Sequence, residues 1–265
     1  MILYTHYSLD LDAASTLALA FMVTGALRVK YISADITKKE FTSLHYIEED
    51  FLMLDIDCEG LGIKGKKIVK DGQTYILSAF SSYLALQTED YKEAFKDLAL
   101  FIDQVDSGNK LPAASLYGNW LTIFLAIKRK ISTDPEVLEA WFVILEGHYK
   151  NYVAMFVAQE EAEQAVWRYR NIAYIKNPKE HSTIKFLMKK GADFVIYEDG
   201  NNMGIVISDT VARAVAPELG RALPGWFVHA SGFLVAWGTK KAQKEVPSGF
   251  KLKEIADIIN GVYNE

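Results

Sequence analysis

Strand-like and helix-like segments alternate along the first part of the chain. Residues 2–5, 28–32 and 50–55 have the length and apolar content of buried strands. Residues 12–26 and 37–49 lie between them and carry apolar positions at helical spacing. This β-α-β-α-β order predicts an α/β fold with a mostly parallel, doubly wound sheet.

The middle of the chain is first loop-like and then helical. Residues 58–72 are rich in glycine and lysine, which predicts a loop with room for a short hairpin. Residues 78–86 and 91–106 predict helices, and residues 116–170 have a helical pattern almost throughout. One face of that last stretch is aromatic, which favours a core stripe over a membrane or partner face.

A third pattern begins after residue 177. Short helices alternate with short strands there, which predicts a second, smaller α/β domain. We therefore expect a sheet domain over residues 1–125, a helical connector over 126–176 and the smaller domain over 177–265. The predicted helices are 184–190, 211–219 and 252–263, and the predicted strands are 194–197, 204–208 and 233–237.

Composition narrows the class of protein. The chain has 265 residues, and half of them are hydrophobic, so a large core is within reach. A net charge of −5 argues against a broad surface for long nucleic acid or an anionic membrane. Cys58 is the only cysteine, which excludes an intrachain disulfide and suits a reducing compartment. With no basic leader after Met1, we expect a cytoplasmic protein.

Polar side chains with metal-binding chemistry gather where the first predicted strand ends. His6, Asp10 and Asp12 follow that strand, Asp55 follows the third, and Asp106 ends a helix. Open α/β sheets place their chemistry at this edge, and carboxylates with one imidazole suit Mn²⁺ or Mg²⁺. The plainer alternatives are that Asp10 or Asp12 caps the first helix, that Asp55 is a turn acid and that His6 has a structural hydrogen bond.

The spacing of these residues is similar to that of a known family. His6, Asp10, Asp12 and Ser15 follow the pattern H-x3-D-x-D-x2-S at the end of the first strand. This resembles the first motif of the DHH phosphoesterase superfamily. That group includes single-strand exonucleases, nano-RNases, cyclic-dinucleotide phosphodiesterases and family II inorganic pyrophosphatases.

Two further segments resemble motifs of the same superfamily. Asp55 stands where the family places its bridging ligand, and residues 102–108 look like the fourth motif, in which we take Asp106 as the ligand. The resemblance implies one or two Mn²⁺ or Mg²⁺ ions and catalytic roles for Asp12 and Asp55. The implied ligands are His6, Asp10, Asp12, Asp55 and Asp106.

The C-terminal part resembles the DHH-associated domain. The run from Gly225 to Phe233 is similar to its glycine- and histidine-rich substrate motif, although only one glycine precedes the histidine here. The resemblance implies that this part binds the substrate phosphate. The substrate-binding residues it implies are His229, Gly225, Ser231 and Gly232.

The sequence also departs from the family. The Asp-His-His triplet that names the superfamily lies between its second and fourth motifs, and this chain has no histidine between Asp55 and Asp106. One expected metal ligand and one phosphate contact are therefore missing. Asp57, Asp71 and Ser78 are the candidates to replace them.

Three functions are compatible with these observations. The first is a divalent-metal phosphoesterase that hydrolyses a small phosphorylated metabolite or short nucleotide with a metal-activated water. The second is a non-catalytic nucleotide- or metal-binding protein on the same scaffold, since a fold does not imply an activity. The third is an assembly module that uses the aromatic helix. No long nucleic acid or membrane is expected as a partner, and a homodimer stays open.

Overall fold

A computed structural model gives the architecture of the chain and confirms the α/β class. The chain forms two compact units, Met1–Asn151 and Tyr152–Glu265. The division into three regions stays a prediction. The structure describes residues 1–26, 28–44, 50–56, 58–70, 73–107, 118–239 and 244–264.

The first unit holds a parallel four-stranded sheet in the order β2-β1-β3-β4, and a separate antiparallel hairpin of β5 and β6. A last helix, α6, continues from this unit into the second. The elements are β1 (Ile2–His6), α1 (Leu11–Thr24), β2 (Val29–Ile32), α2 (Lys38–Leu44), β3 (Phe51–Leu54), β4 (Gly62–Ile63), β5 (Lys66–Lys70), β6 (Gln73–Leu77), α3 (Ala79–Leu84), α4 (Glu89–Asp106), α5 (Gly118–Lys130) and α6 (Asp134–Gln164).

Strand β1 is buried on both faces, as expected for the interior of a parallel sheet. Tyr4 packs edge-on against Phe41, with ring centroids 5.0 Å apart, and Leu3 on the other face is fully buried. Helix α1 is buried from Leu11 to Ala20. Because β1 and β3 are adjacent and parallel, their carboxyl ends meet at one edge of the sheet. That edge carries His6 and Asp55.

The second unit is built on a mixed six-stranded sheet in the order β11-β12-β10-β9-β8-β7. Among the strands that the structure describes in this sheet, only β8 and β9 pair in parallel, and helix α7 connects them. The elements are β7 (Val166–Arg168), β8 (Ile172–Lys176), α7 (Ser182–Lys189), β9 (Phe194–Asp199), β10 (Asn202–Ile207), α8 (Ala212–Ala222), β11 (Phe227–Val228), β12 (Leu234–Trp237) and α9 (Leu252–Asn264).

The prediction of helix through residue 170 is wrong at its end. Helix α6 stops at Gln164, and residues 166–168 and 172–176 form an antiparallel pair instead. Tyr169 and Arg170 reverse the chain with φ angles of 51° and 65°. Neither is a glycine or an asparagine, the residues that usually mark such a turn in a sequence.

Other predictions for the second unit are confirmed. The hairpin of β9 and β10 turns at residues 200–201, and helices lie close to the three predicted segments. Within the part of the chain that the structure describes, no helix combines the length and apolarity needed to cross a bilayer.

Candidate metal centre

His6, the last residue of β1, is held by hydrogen bonds at both ring nitrogens. Its Nδ1 lies 2.8 Å from the carbonyl oxygen of Tyr7, and its Nε2 lies 2.9 Å from Asp55 Oδ2. Because a carbonyl only accepts, Nδ1 carries a proton and Nε2 faces the carboxylate. The hydrogen bond to Asp55 raises the pKa of His6 to about 9, against the opposing effect of burial.

Asp55 directly follows β3 in a left-handed conformation, with φ of 57°. Its N–H donates to the carbonyl oxygen of Ile63 at 2.7 Å, which ties this turn to strand β4. Aspartate tolerates this conformation better than most residues. Strained backbone of this kind concentrates at functional sites, where the surrounding structure holds it in place.

Asp10 is both a helix cap and a member of the candidate metal-binding group. It is the N-cap of α1, because its Oδ1 accepts the N–H of Ala13 at 2.9 Å. It also belongs to a group with His6 and Asp55 in which one ligand atom from each residue lies within 4.8 Å of the others. Both alternatives stated for Asp10, helix cap and candidate ligand, are therefore compatible with its geometry.

The donor set of this group fits a divalent ion. Two carboxylates and one imidazole are ligands of Mn²⁺ and Mg²⁺. Atoms bound to Mg²⁺ at about 2.1 Å lie at most about 4.2 Å from one another. Separations of up to 4.8 Å among His6, Asp10 and Asp55 are thus closed by side-chain shifts of under about 1 Å.

Asp12 is buried and anchors helix α3. Its Oδ2 accepts the N–H of Ala79 and its Oδ1 accepts the N–H of Phe80, both at 2.7 Å. These are amides of the first turn of α3, which has no internal partners for them. Burial raises the pKa of Asp12 to about 8, the nearby carboxylates of Asp55 and Asp106 add to the rise, and the two amides oppose it.

Asp106 stands at the end of α4, within hydrogen-bonding reach of the Asp12 side chain. Partial desolvation of its carboxyl group raises the pKa of Asp106 to about 6, and the charge of Asp10 adds to the rise. Asp103 has other partners, since its Oδ1 accepts the Ser78 N–H and the Ser81 hydroxyl, each at 2.8 Å. Asp106 therefore interacts electrostatically with Asp10 and Asp55, whereas Asp103 binds the start of α3. The group of described residues whose ligand atoms converge is His6, Asp10 and Asp55, and it includes neither Asp12 nor Asp106.

Ser78, one of the candidates to replace the missing Asp-His-His triplet, lies at the start of α3. Ser78 is the N-cap of α3, with its hydroxyl oxygen accepting the N–H of Ser81 at 3.1 Å. Asp57 and Asp71, the other candidate replacements, lie outside the described residues. Directly after Ser78, the backbone N–H groups of Ala79 and Phe80 donate to the carboxylate of Asp12.

His229 lies in the turn between β11 and β12. Its Nδ1 accepts the N–H of Ser231 at 3.2 Å and is 2.9 Å from the Ser231 hydroxyl. The neutral ring therefore carries its proton on Nε2, as a donor. The ring packs on Phe233 with centroids 4.4 Å apart and contacts Phe227 at 6.2 Å.

The two glycines of this segment have backbone reasons to be glycine. Gly225 and Gly232 have φ of 83° and 81°, and a Cβ on Gly232 would lie 2.8 Å from the carbonyl oxygen of Ala212. Either substitution would strain the left-handed backbone, and at Gly232 it would also create a steric clash. A role of these glycines and Ser231 in binding substrate stays a prediction.

Comparison with protein-family profiles finds no match for this sequence, and comparison with curated proteins finds none. Among solved structures, the chain is similar to the pGpG-specific phosphodiesterase PggH from Vibrio cholerae. The two share 11% sequence identity, 99% of each chain is covered, and the TM-score is 0.33.

Sequence reasoning missed the residues that support the carboxylates. Asp103 and the amides of Ala79 and Phe80 hold α3 beside Asp12, across 67 positions of sequence. Backbone amides leave no signal in residue type. Asp103 stands three residues before Asp106 in the segment that resembles the fourth motif, and residue type alone does not tell the roles of these two acids apart.

Proposed function

We propose that this protein is a divalent-metal-dependent phosphoesterase that hydrolyses a small phosphorylated metabolite or a short nucleotide. One observation carries the proposal: ligand atoms of His6, Asp10 and Asp55 converge within 4.8 Å at the carboxyl edge of a parallel sheet. Such edges are where open α/β sheets bind ligands. The donor types suit the ions that assist phosphoryl transfer.

In this proposal His6, Asp10 and Asp55 hold one Mn²⁺ or Mg²⁺. When bound, the ion supplies Lewis acidity that activates water and offsets charge on the phosphate. A second ion would be held by Asp12 and Asp106. A carboxylate has about four acceptor positions, so Asp12 keeps acceptor capacity beside its two amide bonds.

Asp12 and Asp55 are the proposed catalytic carboxylates. In the metal-free protein Asp55 orients the imidazole of His6 through its 2.9 Å hydrogen bond to Nε2, the nitrogen that a bound ion would take. Burial raises the pKa of Asp12 to about 8, and the nearby carboxylates of Asp55 and Asp106 add to the rise, so Asp12 holds or releases a proton near neutral pH. A group with such a pKa is suited to accept the proton of an attacking water.

The proposed substrate contacts of the second unit are in the turn between β11 and β12. His229 offers an N–H at Nε2 for a phosphate oxygen, Ser231 and Gly232 lie in the same turn, and Gly225 lies just before β11. Phe227 is 51% exposed and Phe233 39% exposed. Exposed aromatic faces stack on nucleobases, which favours a short nucleotide within the proposed substrate class.

The test is Mn²⁺-dependent hydrolysis by the wild type, Asp55→Asn and the matched control Asp35→Asn. Substrates are bis(p-nitrophenyl) phosphate, pyrophosphate and a linear dinucleotide. We expect turnover in the wild type and the control only with Mn²⁺, and a loss of at least about 100-fold in Asp55→Asn, since a ligand is removed. Turnover that survives chelation, or that Asp55→Asn retains, would overturn the proposal.

A second candidate is a nucleotide- or metal-binding protein without turnover. The missing triplet favours it, because the resemblance then lacks one implied metal ligand, and Asp12 accepts the backbone amides of Ala79 and Phe80. The same experiment separates the two candidates. Saturable Mn²⁺ and dinucleotide binding with no product from any of the three substrates would establish the binding protein.

A further inference from the structure

The segment between two candidate metal ligands is clamped from outside the centre. Residues 7–9 connect His6 to Asp10. The N–H of Ser8 donates to Asp134 Oδ2 at 2.8 Å, and the N–H of Leu9 donates to Asp134 Oδ1 at 3.3 Å. Both oxygens of one carboxylate thus hold consecutive amides of this segment.

A second helix contacts the same segment. Lys128, in the last turn of α5, donates from Nζ to the carbonyl oxygen of Leu9 at 2.5 Å. The Leu9 side chain is fully buried. The peptide groups around Leu9 are therefore held by an anion on one side and by a cation on the other, and hydrogen bonds to charged groups are the stronger ones.

The segment needs such support because of its backbone. Ser8 has φ of 63°, a left-handed conformation that is unfavourable for a residue with a side chain. It sits two positions from His6 and two from Asp10. A change of conformation at Ser8 would alter the separation of those two side chains directly.

Two hydrogen bonds beside Asp134 do not involve its carboxylate. The Thr133 hydroxyl donates to Glu136 Oε2 at 2.7 Å, and the Val137 N–H donates to the Thr133 carbonyl oxygen at 3.1 Å. Asp134 is the first residue of α6, and its carboxylate extends instead to Ser8 and Leu9.

We infer that Asp134 and Lys128 are positioning residues, which hold His6 and Asp10 at ligating separation before an ion arrives. The inference rests on the proposed metal centre at His6, Asp10 and Asp55. Neither residue touches the ion or the substrate. Their effect passes through the backbone of Ser8 and Leu9.

The test compares Mn²⁺ affinity by calorimetry in the wild type, Asp134→Asn, Lys128→Met and the control Glu139→Gln. Glu139 is exposed on the same helix, and its change removes the same charge. Asparagine offers one acceptor oxygen to two amides. Because outer contacts of metal ligands are worth 10–100-fold in affinity, we expect Asp134→Asn to bind about tenfold more weakly and Glu139→Gln to match the wild type.

Two readouts separate positioning from a general loss of structure. The melting temperature of each metal-free variant reports folding, and the visible spectrum of bound Co²⁺ reports ligand geometry. We expect an altered spectrum in folded Asp134→Asn. If Asp134→Asn does not fold, Lys128→Met decides, because it loosens the same segment from α5.

These measurements distinguish a failure of the positioning role from a failure of the proposed metal centre. A wild type that binds no Mn²⁺ would refute the metal centre itself. A wild type that binds Mn²⁺, with folded Asp134→Asn and Lys128→Met of equal affinity and unchanged Co²⁺ spectrum, would refute the positioning role and leave the centre intact.

Discussion

At the scale of single residues, the carboxylates of one motif have different tasks. Asp10 caps α1, and one of its carboxylate oxygens lies close to ligand atoms of His6 and Asp55. Asp12, two positions later, is buried and accepts hydrogen bonds from two backbone amides of α3. The sequence predicts both as ligands, because spacing and residue type are all it offers. Which oxygen accepts which amide depends on α3, far away in sequence.

His6 gives a prediction for pH dependence. Its pKa is raised to about 9 by Asp55, so the metal-free ring is protonated at pH 7. A bound ion needs the Nε2 lone pair, so binding releases this proton. We expect the Mn²⁺ affinity to rise about tenfold per pH unit between pH 7 and 8.5, measured by calorimetry.

The control for this prediction is His6→Asn. That variant binds more weakly, and the proton contributed by the ring is absent from its binding reaction. Wild-type affinity that is flat between pH 7 and 8.5, or proton release equal in wild type and His6→Asn, would show that His6 does not give up a proton to the ion.

At the scale of elements, local patterns predict most of the first unit and fail where a turn lacks its usual residues. The β-α-β-α-β order is confirmed, since strand length and helical spacing are local properties. Strands β7 and β8 were missed because Tyr169 and Arg170 make the turn. The predicted core stripe on α6 is buried over only part of its length. Trp141 and Leu145 are fully buried, whereas Phe156 is 52% exposed.

Helix α3 depends on Asp12, and this gives a prediction for stability. Asp12→Ala leaves the amides of Ala79 and Phe80 without their acceptor in a buried setting. An unsatisfied buried donor costs about 1–3 kcal/mol, so the free energy of unfolding should fall by about 2–5 kcal/mol in metal-free protein. Denaturant unfolding measures it.

The matched variant for this prediction is Asp10→Ala. Asp10 caps α1 through one amide bond, and loss of a cap costs about 1 kcal/mol. The order of stability should therefore be wild type, Asp10→Ala and then Asp12→Ala. An Asp12→Ala protein as stable as Asp10→Ala would show that α3 does not depend on this carboxylate.

At the scale of the whole molecule, the two units differ in how far the sequence predicts the arrangement of their strands. In the first, adjacent parallel strands bring His6 and Asp55 to one edge, which strand order alone predicts. In the second, the parallel pair of β8 and β9 lies in a sheet whose other described pairs are antiparallel, and the two-residue strand β11 carries too little pattern to predict that arrangement. The net charge of −5 argues against a broad binding surface for long nucleic acid.

The most direct test of the metal centre is a crystal structure of the Mn²⁺-soaked protein, with anomalous diffraction recorded at the manganese absorption edge. We expect a strong anomalous peak bonded to His6 Nε2 and to carboxylate oxygens of Asp10 and Asp55. A further peak at Asp12 and Asp106 would show that two ions bind. A peak at other residues only, or none at a Mn²⁺ concentration that saturates binding in solution, would show that His6, Asp10 and Asp55 do not form a metal centre.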